Sequence, residues 1–68
     1  MNKAHIGQKL YALRKDRNLT LRAVAADLGL TFQAIWNYEK YGRIPKDDVK
    51  VKIADYYGVT VQSIFFDP

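Results

Sequence analysis

The stretch Leu28-Gly29-Leu30-Thr31 constrains this chain more than any other. Before it, "LRAVAADL" places Val24, Ala25 and Leu28 on one helical face, with Thr20 as the capping residue. The alanines at 23, 25 and 26 favour helix and permit close approach of a neighbour. Gly29 reaches positive φ cheaply because it has no Cβ, so it ends the helix and turns the chain sharply. Leu30 then points to a core, and Thr31 caps a third helix, "TFQAIWNYE". Two short helices joined through a glycine turn must pack against each other, and the rest of the chain must cover them.

The remaining segments read as helices of the same kind. In "HIGQKLYALRKDRN" the spacing of Ile6, Leu10 and Leu13 is that of one buried stripe. Arg14, Lys15 and Arg17 oppose the negative pole of that helix, which is predicted over 3–17, with Asn18 as its stop and Leu19 packing inward. Gly42 and Pro45 mark "KYGRIP" as a loop. "KDDVKVKIADYY" starts with Asp47 and Asp48 at its positive pole, carries Val49, Ile53, Ala54 and Tyr57 inward, and stops at Gly58. Thr60 caps a short fifth helix with Ile64 and Phe65. The prediction is an all-α fold of five helices in a single domain, residues 1–68, without repeats or linkers.

Sixty-eight residues bury only about 60% of the surface of the unfolded chain, and there is no cysteine for a disulfide or thiolate site. No apolar run approaches the roughly 18 residues of a membrane span, and no signal-peptide pattern opens the chain, so a cytoplasmic, nucleoid-associated protein is expected. Eleven Lys and Arg against seven Asp and Glu give a net charge of +4, which favours a polyanionic partner. An enzyme is not expected. His5 has no second His or Cys to make a ligand set, and Asp47 and Asp48 point about 100° apart on a helix. There is no phosphate-cradling glycine loop, and neither metal nor cofactor is expected.

The unit from about 20 to 39 is a helix-turn-helix, whose second helix enters the major groove in DNA-binding versions. "LTLRAVAADLGLTFQAIWNYEKYGRIP" resembles the helix-turn-helix of the phage Cro and repressor class, the XRE family. The matching features are the Leu-Thr start, Ala25, Gly29, Thr31, Ile35, the aromatic-Glu pair at 38 and 39, and Gly-x-x-Pro ending at Pro45. "IADYYGVTVQSIF" resembles the closing segment of that family, so the likeness covers almost the whole chain and implies a lambda-repressor-like fold. Three positions depart from the pattern. Leu21 stands where the family usually has a phosphate-contacting Gln, and Phe32 and Trp36 stand where small polar residues or Arg are usual. The resemblance also implies an ion pair between Arg14 and Glu39 that braces the reading helix against helix 1.

At about 100° per residue, Ile35 and Tyr38 share the core face of the third helix, with Ala34 at its edge. Phe32, Gln33, Trp36 and Asn37 share the other face and are the expected base readers. Gln33 and Asn37 can each make a bidentate contact to adenine N6 and N7, and Phe32 can lie on a thymine methyl. Backbone contacts are assigned to Arg22, Thr31, Lys40, Tyr41, Arg43 and Lys46, with Arg43 foremost. Three readings of Phe32 and Trp36 compete: a DNA surface, a protein-binding patch, or a rotated helix in which one ring is mostly buried.

The resulting expectation is a sequence-specific, double-stranded DNA-binding transcriptional regulator, of repressor type. Its brevity suggests a phage, prophage or other mobile-element setting. It would bind as a homodimer to a palindromic, A·T-leaning operator through a C-terminal surface drawn from Ile64, Phe65 and Phe66, with one of the two phenylalanines in the core. The alternative is a protein-interaction module whose Phe32/Trp36 face grips a partner such as an antirepressor or toxin.

Overall fold

A computed structural model describes residues 3–67 of the chain. Five helical segments follow in order: α1 Lys3–Asp16, α2 Leu21–Leu28, α3 Phe32–Lys40, α4 Asp47–Tyr57 and α5 Gln62–Phe66. No strand occurs among the described residues. α1 packs on α3 and α5, and α2 packs on α3 and α4, which closes a body of 27 × 23 × 23 Å.

The caps act as their residue types require. Thr20 Oγ1 accepts from Ala23 N–H at 3.0 Å, and Thr31 Oγ1 accepts from Ala34 N–H at 3.1 Å. Gly29 sits at φ 69°, and the next amide, Leu30 N–H, donates back to the Ala25 carbonyl at 2.9 Å. Asn18 ends α1 in the same left-handed region at φ 55°, with Leu19 N–H bonded to the Arg14 carbonyl at 3.2 Å. Thr60 caps the last segment through Ser63 N–H at 3.0 Å. That segment is wound more widely than an α-helix, so Asp67 N–H reaches the Gln62 carbonyl, five residues back, at 2.9 Å. Lys9 crosses to this end and donates to the carbonyls of Ser63 and Asp67 at 2.8 and 2.7 Å, placing a cation at the C-terminal end of the segment.

The core consists of Ile6 and Leu10 of α1, Val24, Ala25 and Leu28 of α2, Ile35 of α3, Ile53, Ala54 and Tyr57 of α4, and Ile64 and Phe65 of α5. Leu13, Leu19, Leu30, Tyr38 and Val49 pack on it while partly exposed. Phe65 is 1% exposed and Phe66 is 53% exposed, the division expected for the two adjacent phenylalanines. Full burial of a ring such as that of Phe65 stabilises by about 1.5–3 kcal/mol.

Tyr57 is buried, and its hydroxyl is pushed up to about 12 by that burial first, with the Glu39 carboxylate adding to it. The Tyr56 hydroxyl is pushed up to about 12 mainly because it donates to Asp27 Oδ2 at 2.6 Å, a bond that ties α4 to α2. Both phenols hold their protons more tightly folded than unfolded. Their contribution to stability is therefore fully present below the ordinary value of 10 and is lost as pH rises from about 10 to 12. In an ultraviolet titration, Tyr56→Phe should remove one late-ionising phenol; an unchanged high-pH limb would show that Tyr56 is not among the late-ionising phenols.

Gly7 lies buried in α1 directly against the end of α3. A Cβ there would collide with the Glu39 carbonyl oxygen and stand 3.2 Å from that of Tyr38. Gly7→Ala should therefore destabilise the fold. Overpacking costs about 1–3 kcal/mol, against about 1 kcal/mol gained in helix propensity. A lower urea midpoint is expected, and a raised one would show that α1 can shift away freely.

Candidate nucleic-acid interface

α3 is held from below by an ion pair. Arg14 Nε donates to Glu39 Oε2 at 2.8 Å and Arg14 Nη2 donates to Glu39 Oε1 at 3.0 Å, a two-pronged contact. The remaining guanidinium nitrogen, Nη1, donates to the Leu19 carbonyl at 2.9 Å. The two side chains are 9% and 6% exposed. The Glu39 hydrogen bond raises the Arg14 pKa above its ordinary value, against the opposing effect of burial. One arginine thus joins α1, the α1–α2 connection and the last turn of α3.

With its inner side fixed, α3 presents an open groove lined by Thr31, Gln33, Ala34, Asn37, Tyr38 and Arg43. Gln33 Nε2 donates to Asn37 Oδ1 at 3.0 Å, so the two amides sit side by side one turn apart. Arg43 reaches the same groove because the loop folds back. Asn37 offers its carbonyl to the amides of both Tyr41 and Arg43 at 3.1 Å, and Gly42 makes the bend between them at φ 68°. Thr31 accepts as the α3 cap and keeps its hydroxyl proton free to donate.

The expected reader set divides in the structure. Gln33 and Asn37 share the groove, and Phe32 stands at the start of α3, 40% exposed, with the Arg22 guanidinium carbon 5.2 Å from its ring centroid. Trp36 does not join them. It is half-buried and lines a separate groove against α1 with Gly7, Gln8, Tyr11 and Lys40. The close α1 approach at Gly7 partly covers this half of α3, so Trp36 lines the α1 side and not the Gln33–Asn37 groove. Of the backbone candidates, Thr31 and Arg43 line the Gln33–Asn37 groove, Arg22 lies against Phe32 at the start of α3, and Lys40 belongs to the Trp36 side. Tyr41 and Lys46 are exposed on the loop that follows. Ile64 and Phe65 are core residues, each 1% exposed, so only Phe66 of the three interface candidates is available to a partner.

A family model for helix-turn-helix proteins matches residues 10–64. The chain belongs to the Cro/C1-type (XRE) helix-turn-helix family. The match spans all the elements that build the groove, and the family is one of DNA-binding transcription regulators rather than enzymes. No curated protein gives a significant match to the chain. Among the described residues, no helix is long and apolar enough to cross a membrane, and no cluster of His, Cys, Asp or Glu is arranged to hold a metal ion.

Three features were not read from the sequence: Gly7, the Gln33–Asn37 bond and the Tyr11 side of the Trp36 groove. A lone glycine inside the α1 pattern was the available sign of close packing. The ion pair offers a direct test of how α3 is positioned. Glu39→Gln should cost about 3–5 kcal/mol by leaving a buried guanidinium without its counter-charge. Thermal unfolding should show that loss, and a paired Arg14→Met, Glu39→Leu variant should recover part of it. If Glu39→Gln melts like the unaltered chain, the pair does not hold the helix.

Proposed function

We propose that this protein is a sequence-specific repressor of transcription that places α3 in the DNA major groove. The adjacent amides of Gln33 and Asn37 carry this reading, because they face an open groove flanked by a cation and a capping threonine. Their mutual hydrogen bond leaves both amides competent. Gln33 keeps one N–H and its carbonyl oxygen, and Asn37 keeps both N–H groups and one lone pair, enough for each to meet an adenine N6/N7 edge. Arg43, Arg22, Lys46 and the Thr31 hydroxyl serve the phosphates, and such contacts set position without reading sequence. The reading helix has no arginine and only Lys40 at its end, so guanine is not its natural target and A·T-rich sites are favoured. Two copies joined through the exposed Phe66 would place half-sites about 34 Å apart on a palindrome. A body seated across the groove at a promoter excludes other proteins, which gives repression.

A second reading has its own surface. The Trp36–Tyr11 groove joins an exposed tyrosine to a half-buried tryptophan, residue types that anchor protein partners. Salt-dependent binding separates the two, since Lys/Arg–phosphate contacts give measurable affinity for mixed-sequence duplex at low salt, and its absence would sink the DNA reading. Selection of bound sites from random duplex should return A·T-rich palindromes. On the selected site Gln33→Ala should lose about 1–3 kcal/mol at one base position, with a smaller additional loss when Asn37→Ala is combined with it. Arg43→Ala should weaken binding to every sequence and reduce the salt slope by about one; an unchanged slope would remove it from the phosphate set.

A further inference from the structure

We infer that Phe32 is a positioning residue for Arg22, and that the ring works on the DNA backbone through that arginine and not as a reader of thymine. The inference rests on the DNA-binding reading above and assigns a different role to one residue within it. The observation is the cation–π contact itself. Phe32 is the first residue of α3, Arg22 is the second residue of α2, and the guanidinium carbon lies 5.2 Å from the ring centroid. The two helices meet through the Gly29 turn, so the contact spans the junction between them. Arg22 and Phe32 also line one shallow depression with Lys15 and Thr20, which meets the Trp36 groove at Arg14.

Three physical points favour a positioning role. An exposed arginine samples many rotamers, and holding it on an aromatic face reduces the ordering that phosphate binding must otherwise impose. A ring engages the guanidinium over its π-face, while the N–H donors lie in the guanidinium plane and remain free at its edge. Among the described residues, no carboxylate lies in ion-pair range of Arg22, so those donors are not committed elsewhere. The neighbouring position supplies the need, since Leu21 is half-buried against the core and has no polar group to offer a phosphate.

The test uses the full chain and four variants: Phe32→Leu, which keeps apolar bulk and removes the π-face, Phe32→Tyr, which keeps both, Arg22→Ala, and Arg22→Ala with Phe32→Leu. Binding is measured on a selected duplex and on mixed-sequence duplex across a salt series. Phe32→Leu should weaken binding to both duplexes alike by about two- to five-fold, with its salt slope moving towards that of Arg22→Ala. It should add little in the Arg22→Ala background, and Phe32→Tyr should bind like the unaltered chain. In NMR spectra of the free protein, the Arg22 side-chain resonances should be ring-current shifted, and Phe32→Leu should abolish the shift. The inference is overturned if Phe32→Leu changes preference at a single base pair with an unchanged slope, or if its effect is the same size in both backgrounds. It is also overturned if no ring-current shift is present in the unaltered chain, even where DNA binding stands. Failure of the unaltered chain to bind any duplex at low salt overturns the DNA reading and this inference together.

Discussion

The structure depends on how α1 grips the end of α3. The grip has a steric half and an electrostatic half at the same residue. The backbone of Glu39 is contacted by Gly7, where a side chain would not fit, and its carboxylate is held at two points by Arg14. Arg14 also satisfies the Leu19 carbonyl, in the connection that leads to α2. The position of α3 is therefore set relative to α1 and to the start of α2 by one buried arginine. A helix of nine residues is too short to be stable alone in water, so this external bracing determines where its outer side chains stand. Breaking one member of such a pair is costly because the survivor stays buried, even though the net worth of the intact pair is modest.

That bracing explains how much of the chain was legible in its sequence. Local chemistry was legible: Thr20, Thr31 and Thr60 cap, Asn18, Gly29 and Gly58 terminate, and the apolar stripes give the core. These signals are short-ranged, and their effect does not depend on distant partners. The two aromatic residues of α3 were not placed as well. Phe32 and Trp36 lie one turn apart, so a helical wheel puts both on one stripe. A wheel carries no axial information. α1 lies over the later half of α3, so Trp36 is partly covered while Phe32 extends beyond that cover to meet Arg22. The division required the Gly7 contact, in which residues far apart in sequence come together.

The same limit applies to the fifth segment. Its sequence shows an apolar helix with two phenylalanines and no preference between them, and packing decides that Phe65 fills the core and Phe66 remains outside. Lys9 then fixes this end by donating to the Ser63 and Asp67 carbonyls. The C-terminal turn is thus tied to α1, the helix that also carries Gly7 and Arg14. Any copy that docked on Phe66 would rest on a surface coupled to α3 through a single rigid element.

Charge is distributed in a way that bears directly on how such a molecule can recognise DNA. The outer face of α3 is electrically neutral, since Glu39 is turned inward to Arg14 and Lys40 lies on the α1 side. The cations stand around that face, on α2 at Arg22 and on the returning loop at Arg43 and Lys46. In the proposed complex, attraction to the phosphates and discrimination among bases fall to different residues. The cations respond to ionic strength and are indifferent to sequence. The paired amides of Gln33 and Asn37 carry donors and acceptors without charge, so as the proposed readers they would respond to the pattern of a base edge and little to salt. An arginine on the outer face would combine both effects and favour guanine. On the proposed reading, its absence leaves a domain of net charge +4 to approach DNA through flanking contacts while the central groove selects for adenine.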